Sequence, residues 1–196
     1  MRDIETITVG SGFVHMMPVP AEIPEDITTL ATDENIAGYI EGGGTLAYKP
    51  SKTTFKDDMG KVSKTILTDE EASFKTGIMT WTIDLLNKLI DTARVEKTKK
   101  HKILKIGGIA NAKDTKQMII FHHVDAVDGD LWIVIVGSNE SEISLGFVKD
   151  KNTTVDTEFK AVPQDSEGTL IQIIEELPAT EEDVSQDSEE QENPAG

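Results

Sequence analysis

Apolar positions along this chain fall into short alternating or continuous runs separated by polar turns, the pattern of β-strands rather than of helices. The run Gln117-Met-Ile-Ile-Phe-His-His-Val124 is followed, past Asp128-Gly129, by Leu131-Trp-Ile-Val-Ile-Val136. Asp-Gly readily supplies the positive φ values of a type I′ turn, so the two runs are predicted to form a β-hairpin. Leu131 to Val136 is apolar at every position and needs cover on both faces, one inside the domain and the other from a helix or a second subunit.

The other segments carry weaker versions of the same signal. Residues 6–19 read as a strand broken near Gly10 and Gly12 and ended by Pro18 and Pro20, with a proline-punctuated connector to Ala31. Gly42-Gly43-Gly44 reads as a turn before the strand Thr45-Leu-Ala-Tyr48, and Ile66-Leu67 as the start of another. Between them, Lys49 to Lys64 is a long polar stretch around only Phe55, Met59 and Val62, and long loops in compact domains tend to be functional or disordered. Thr68 and Glu71 fit a helix capping box, but Phe74-Lys-Thr-Gly-Ile-Met-Thr-Trp81 alternates and is rich in β-formers, which favours a strand.

One helix is predicted, over Ile83 to Ala93, with Thr82 as N-cap, Asp84 in the first turn and a broad apolar face that should lie across a sheet. A basic segment, Arg94 to Lys105, leads into a strand over Lys102 to Gly107. Glu142 to Val148 and Thr153 to Val162 are predicted to pair through Lys149-Asp-Lys-Asn152. In the second of these, Val155, Thr157, Phe159 and Ala161 face one side and Asp156, Glu158 and Lys160 the other. Gly168 marks the turn into a last strand, Thr169 to Glu176.

Composition narrows the class. The 196 residues, 37% hydrophobic, suffice for one well-buried domain. The organisation expected is a β domain over 1–177 and an acidic tail over 178–196, which has seven acids, no bases and too few apolar residues to offset its chain entropy. Removing those seven charges from the net −17 leaves −10 on the domain, which argues against a sequence-reading nucleic-acid binder. No apolar run reaches the length of a membrane span, and Met1-Arg-Asp-Ile-Glu-Thr lacks the pattern of a signal peptide. With no cysteine, disulfides and thiolate metal sites are excluded.

Catalytic and cofactor motifs are not found. His122 and His123 are neighbours in a strand and point to opposite faces, so they are poorly placed to share a metal, and His15 and His101 have no partner at ligand spacing. Asp125, Asp128 and Asp130 fail the calcium-loop pattern and read as turn residues. Gly10-Ser-Gly12 lacks the third glycine of a dinucleotide fingerprint, and Gly42-Gly-Gly-Thr45 lacks the Gly-Lys of a phosphate loop. No enzyme activity, cofactor or metal is expected.

With these residues in view, the chain resembles the major tail, or tail tube, proteins of long non-contractile-tailed bacteriophages of Gram-positive hosts. The resemblance lies in the order of Glu71-Ala-Ser-Phe-Lys-Thr-Gly-Ile-Met-Thr-Trp81, Asp84-Leu-Leu-Asn-Lys-Leu89, Lys102-Ile-Leu-Lys-Ile-Gly-Gly108, His123-Val-Asp-Ala-Val-Asp-Gly-Asp-Leu-Trp132, Val155-Asp-Thr-Glu-Phe-Lys-Ala161 and Asp165-Ser-Glu-Gly-Thr-Leu170. It covers most of residues 68–177 and is one of ordering rather than of an invariant motif.

The resemblance implies a mainly β, antiparallel sandwich or barrel-like tail-tube fold with one flanking α-helix. It also implies a virion protein, assembled in the host cytoplasm, forming hexameric rings that stack into a tube for DNA ejection. Its partners would be further copies of itself, tape-measure and tail-terminator proteins, and DNA passing without sequence-specific contact, with no membrane. On that expectation, Lys52, Phe55, Lys56, Asp57, Asp58 and Lys61 are candidates for a ring-stacking loop, and Asp156 and Glu158 for a lumen-facing pair. The competing reading is a non-catalytic β-sandwich binding module for a carbohydrate or protein ligand, for which exposed aromatics are in short supply.

Overall fold

The computed structural model describes residues 12–21, 23–24, 26–126 and 129–176. It is mainly β with one α-helix and entirely antiparallel pairing. The strands are β1 (Phe13–Pro18), β2 (Ile36–Lys56), β3 (Ser63–Ile78), β4 (Arg94–Lys97), β5 (Lys102–Lys105), β6 (Gln117–His123), β7 (Leu131–Asn139), β8 (Val155–Ala161) and β9 (Gln172–Glu175); the helix α1 (Ile83–Leu89) lies between β3 and β4. Hydrogen-bonded neighbours run β6-β1-β2-β3-β8-β7, and β7 pairs back onto β6, so the sheet closes on itself as a six-stranded barrel. β9 shares the second edge of β7 with β8: Leu131 to Val134 pair with β9, and Gly137 to Asn139 with β8.

Alternation decides which side chains fill the interior. In β3, Ala72, Phe74, Thr76 and Ile78 are buried, and in β8, Val155, Thr157, Phe159 and Ala161 are buried, as their period of two requires. They meet Val14 and Met16 of β1, Ile119 and Phe121 of β6 and Ile135 of β7 in one core, onto which α1 packs Leu85, Leu86 and Leu89. The Val, Leu, Ile, Phe and Met side chains among them each contribute about 1.5–3 kcal/mol of transfer free energy when fully buried.

β1, β6 and β7 are buried on their other face too. Met17, Met118, Ile120, Val134 and Val136 form a second cluster with Ile27, flanked by Ile23, Leu30 and Ala31. The cover is the connector after β1, which winds into a 3-10 turn over Ile27–Leu30, with the Asp26 carboxylate accepting from the Thr28 N–H. The chain therefore supplies both covers for the all-apolar strand, and the argument that this strand needs a second subunit falls away.

Several other expectations are corrected. The 117–123 and 131–139 hairpin is present, but its ladder ends at His123 opposite Leu131, so the connection is longer than a two-residue turn; Gly129 has φ 85°, and residues 127–128 lie outside the described residues. Gly42 and Gly43, at φ 83° and 76°, form a bulge within the continuous strand β2 instead of a turn before a new one. The helix begins as expected, with the Thr82 hydroxyl accepting from the Leu85 N–H at 3.2 Å, but ends at Leu89: Ile90 is already extended, and Ala93 is buried by the turn that follows.

Arg94 to Lys105 is a separate two-stranded sheet, β4–β5, rather than a lead-in to one strand. Glu142 to Val148 is not a strand. Ile143 and Leu145 alternate because they pack against the main core, and only Val148 bridges to Lys151. The last strand is shortened to Gln172–Glu175. The acidic tail, 178–196, and the first expected strand residues, 6–11, lie outside the described residues.

Candidate assembly surface

β2 and β3 are far longer than the barrel requires. β1 accompanies β2 only up to Tyr39, and β8 accompanies β3 only from Ser73 to Ile78. From Lys49 to Lys56 and from Ser63 to Glu71 the two strands pair only with each other among the described residues, forming an arm that extends about 25 Å from the body at ~3.3 Å per residue. Residues 47–71 are exposed throughout, apart from the half-buried Ser51. The stretch expected as an unpatterned loop, Lys49 to Lys64, is thus mostly regular hairpin with both faces in solvent.

The arm is well built locally. Across it, Thr54 and Thr65 share a 2.8 Å hydroxyl hydrogen bond, Tyr48 donates to Glu70 at 2.9 Å, and Lys49 lies 3.9 Å from Glu71. At the tip the Asp57 carboxylate accepts from the Val62 N–H at 2.7 Å, the Asp57 carbonyl accepts from the Gly60 N–H, and Gly60 takes φ 68°. A side-chain-closed turn of this kind fixes the direction of Asp58, Met59 and Lys61.

The structure therefore gathers the candidate stacking residues on one element: Lys52, Phe55 and Lys56 on β2, and Asp57, Asp58 and Lys61 at the tip. It adds apolar side chains whose exposure sequence alone did not reveal. Phe55 is 57% exposed, Met59 75%, Val62 69% and Leu67 53%, with Ile66 diagonal to Phe55 on the same face. Isolated two-stranded hairpins are marginal in water, and this one spends its apolar residues on solvent. Its edges are guarded by Pro50, by Lys49, Lys52, Lys56 and Lys64, and by a register shift at Ser51/Lys52, the devices that stop an edge from adding strands indiscriminately. The arm is suited to contact through side-chain faces.

Asp156 and Glu158 are placed elsewhere, on the outward face of β8, beside β3. Glu158 stands opposite Lys75 and pairs with it at 3.0 Å, while Glu71 lies 3.9 Å from both Lys49 and Lys160. The face is a mosaic of both signs rather than an anionic wall. Glu158 is half-buried and its partner Lys75 is exposed, so Glu158→Ala is expected to change stability by less than about 1 kcal/mol, measured by denaturant unfolding; a larger loss would show that the mosaic is structural.

His15 lies on β1 and His122 and His123 on β6, across the barrel from β8, while His101 is in the β4–β5 turn. His122 stacks on Trp132 with ring centroids 4.9 Å apart, and its Nε2 is 2.7 Å from Asp130. Burial pushes the Asp130 carboxyl up, but hydrogen bonds from His122 and the Asp125 N–H outweigh it and hold the group below the usual carboxylate range. His15 is buried 6.2 Å from the His122 ring and donates Nδ1–H to the Thr32 carbonyl. Burial lowers its pKa below 6.5, against the opposing effect of that hydrogen bond.

The unfolded chain then binds more protons at His15 than the folded one. Its contribution to stability is complete above 6.5 and is lost as pH falls from that value through the folded pKa. Thermal stability is expected to decline from pH 7 to 5, and less steeply in His15→Leu. An equal slope in both proteins would assign the effect to other groups. Among the described residues no group of three or more His, Asp or Glu side chains is placed to hold a metal ion, and no helix is long and apolar enough to cross a membrane.

Fold and arm together define a closed antiparallel barrel that projects a side-chain-rich hairpin. Comparison with protein-family models and with curated proteins finds no match to the chain.

Proposed function

We propose that the protein is a self-assembling structural subunit, and specifically the tail tube protein of a long non-contractile-tailed bacteriophage. In this reading hexameric rings stack into the conduit for DNA ejection. The observation that carries the reading is the β2–β3 arm: some 25 Å of ordered hairpin with exposed Phe55, Met59, Val62 and Leu67, which gives the monomer no core of its own. Contact with other copies would bury those side chains. The ordering of segments from Glu71 to Leu170 is what directs the proposal to a tail tube among possible assemblies.

Electron microscopy of the purified full chain tests it, with rings or tubes expected at high concentration. A protein that stays monomeric in sedimentation and shows no rings would overturn the reading. Reversing Asp156 and Glu158 together to lysine tests the lumen placement. Lys75 would then lose its partner while Lys160 keeps Glu71, the face would turn net basic, and DNA release through assembled tubes should slow in a salt-sensitive way. Normal release from tubes carrying both changes would put this face on the outside.

A further inference from the structure

We propose that the basic hairpin β4–β5 is a docking surface for the acidic segment 181–192 of this same protein. The inference rests on charge, presentation and reach, and is independent of the tail-tube reading.

Residues 94–105 hold six bases against one acid, in a chain of net charge −17. The hairpin is a separate sheet that carries them at a fixed point. The Thr98 hydroxyl accepts from the His101 N–H at 3.0 Å and also accepts from the Lys100 N–H, while the Thr98 N–H donates to the His101 carbonyl at 2.8 Å. Side-chain capping of this sort holds the turn while its lysines remain in solvent.

Three of the hairpin's cations are committed. Lys102 pairs with Asp84 of α1, Lys105 pairs with Glu96 at 2.6 Å, and Arg94 donates to the Gly107 carbonyl. The other three are not. Lys99 and Lys100 have no carboxylate within ion-pair distance among the described residues, and Lys97 acts on Asp84 only through its field, behind Lys102. A concentrated patch of uncompensated cations calls for an acidic partner without a shape requirement.

The chain carries such a partner: Glu181, Glu182, Asp183, Asp187, Glu189, Glu190 and Glu192, with no base among them. The described structure ends at Glu176, whose N–H donates to the Asp130 carbonyl at the start of β7. Hairpin and helix sit toward the far end of that strand, where Asn139 reaches the Leu89 carbonyl. Nine residues of β7 span about 30 Å. The sixteen residues from Glu176 to Glu192 extend up to roughly 50 Å, about 20 Å more than the strand, so the outer acids have the length to pass its far end toward the hairpin turn. Tethering sets the effective concentration on the order of millimolar, enough for several weak contacts to act together.

Zero-length carbodiimide coupling of the full chain, read by mass spectrometry, tests this. At low salt the acids of 181–192 should couple to Lys97, Lys99 and Lys100. Yields should drop severalfold at 0.5 M NaCl and in Lys99→Gln with Lys100→Gln, whose exposed positions leave the fold intact. Lys105 to Glu96 and Lys75 to Glu158 serve as internal controls. Mixing isotopically light and heavy chains separates docking within a copy from docking between copies, and either result supports the proposal. Coupling of the tail acids evenly to lysines such as Lys49, Lys52 and Lys149, or to none while the controls couple, would overturn it. Protection of the same three lysines by a short DNA duplex, without tail coupling, would overturn it in favour of nucleic acid.

Discussion

Replacing residues 51–69 by Asn-Gly is expected to abolish assembly while leaving the barrel folded. Pro50 and Glu70 face each other across the arm, so the truncated strands can be closed by a two-residue turn suited to the hairpin twist. The removed side chains are exposed and lie outside both clusters of the core, so the melting temperature should hardly change. Lost with them are Phe55, Met59, Val62, Ile66 and Leu67, the apolar content of the arm. Microscopy and sedimentation read the assembly, and calorimetry reads the fold. Rings or tubes formed by the shortened protein would move the assembly surface elsewhere. A collapse in melting temperature would show that the arm helps to hold the barrel.

Leu86→Asp or Leu89→Asp should act in the opposite way, on the fold before anything else. Both leucines are 3% exposed and face the barrel core with Phe74, Ile119, Ile135 and Phe159. Seven residues are too few for a helix to persist by propensity, so α1 exists because it is packed. Loss of the apolar contact together with burial of an unpaired charge is expected to cost on the order of 3 kcal/mol or more. Leu86→Met, which keeps the volume, should cost less than about 1.5 kcal/mol. Denaturant unfolding of the three variants distinguishes these outcomes, and equal stability for Leu86→Asp and the parent would mean that this face of the helix is in solvent.

What was legible in the sequence was whatever one-sided burial writes into it. The alternation from Phe74 to Trp81 marked the end of β3, which stops at Ile78, and that of Val155, Thr157, Phe159 and Ala161 marked β8, because only one side of each lies in the core. Thr82 marked the start of α1 through its hydroxyl. The arm left no such trace, since a strand with two solvent faces has no period and so reads as a loop. Ile143 and Leu145 misled for the converse reason: their alternation reflects contact with the core, without a pairing partner.

The Asp128-Gly129 signal identified a hairpin but not its length, because the positive φ at Gly129 is used inside a longer loop. Glycine 137 gave no periodic signal at all, yet a Cβ there would lie 2.0 Å from the Lys160 carbonyl oxygen where β8 crosses close to β7. Of the candidate contact residues, sequence located the stretch through its length and polarity. It could not show that those residues share one projecting hairpin.

Closure of the barrel also orders events in time. β1 pairs with β6, joining Phe13 to His122 across roughly a hundred residues, and such distant contacts form late because the intervening loop must first be closed. The arm joins neighbouring strands through a six-residue tip, Asp57 to Val62, and needs nothing beyond Ile78. On a chain emerging from the ribosome it can be complete before β6, β7 and β8 have been made. A half-made copy therefore already displays exposed Phe55 and Leu67 on a hairpin with open edges. Pro50 and the lysines along β2 then protect the nascent polypeptide from its neighbours on the same message, at the stage when the body that would orient the arm does not yet exist.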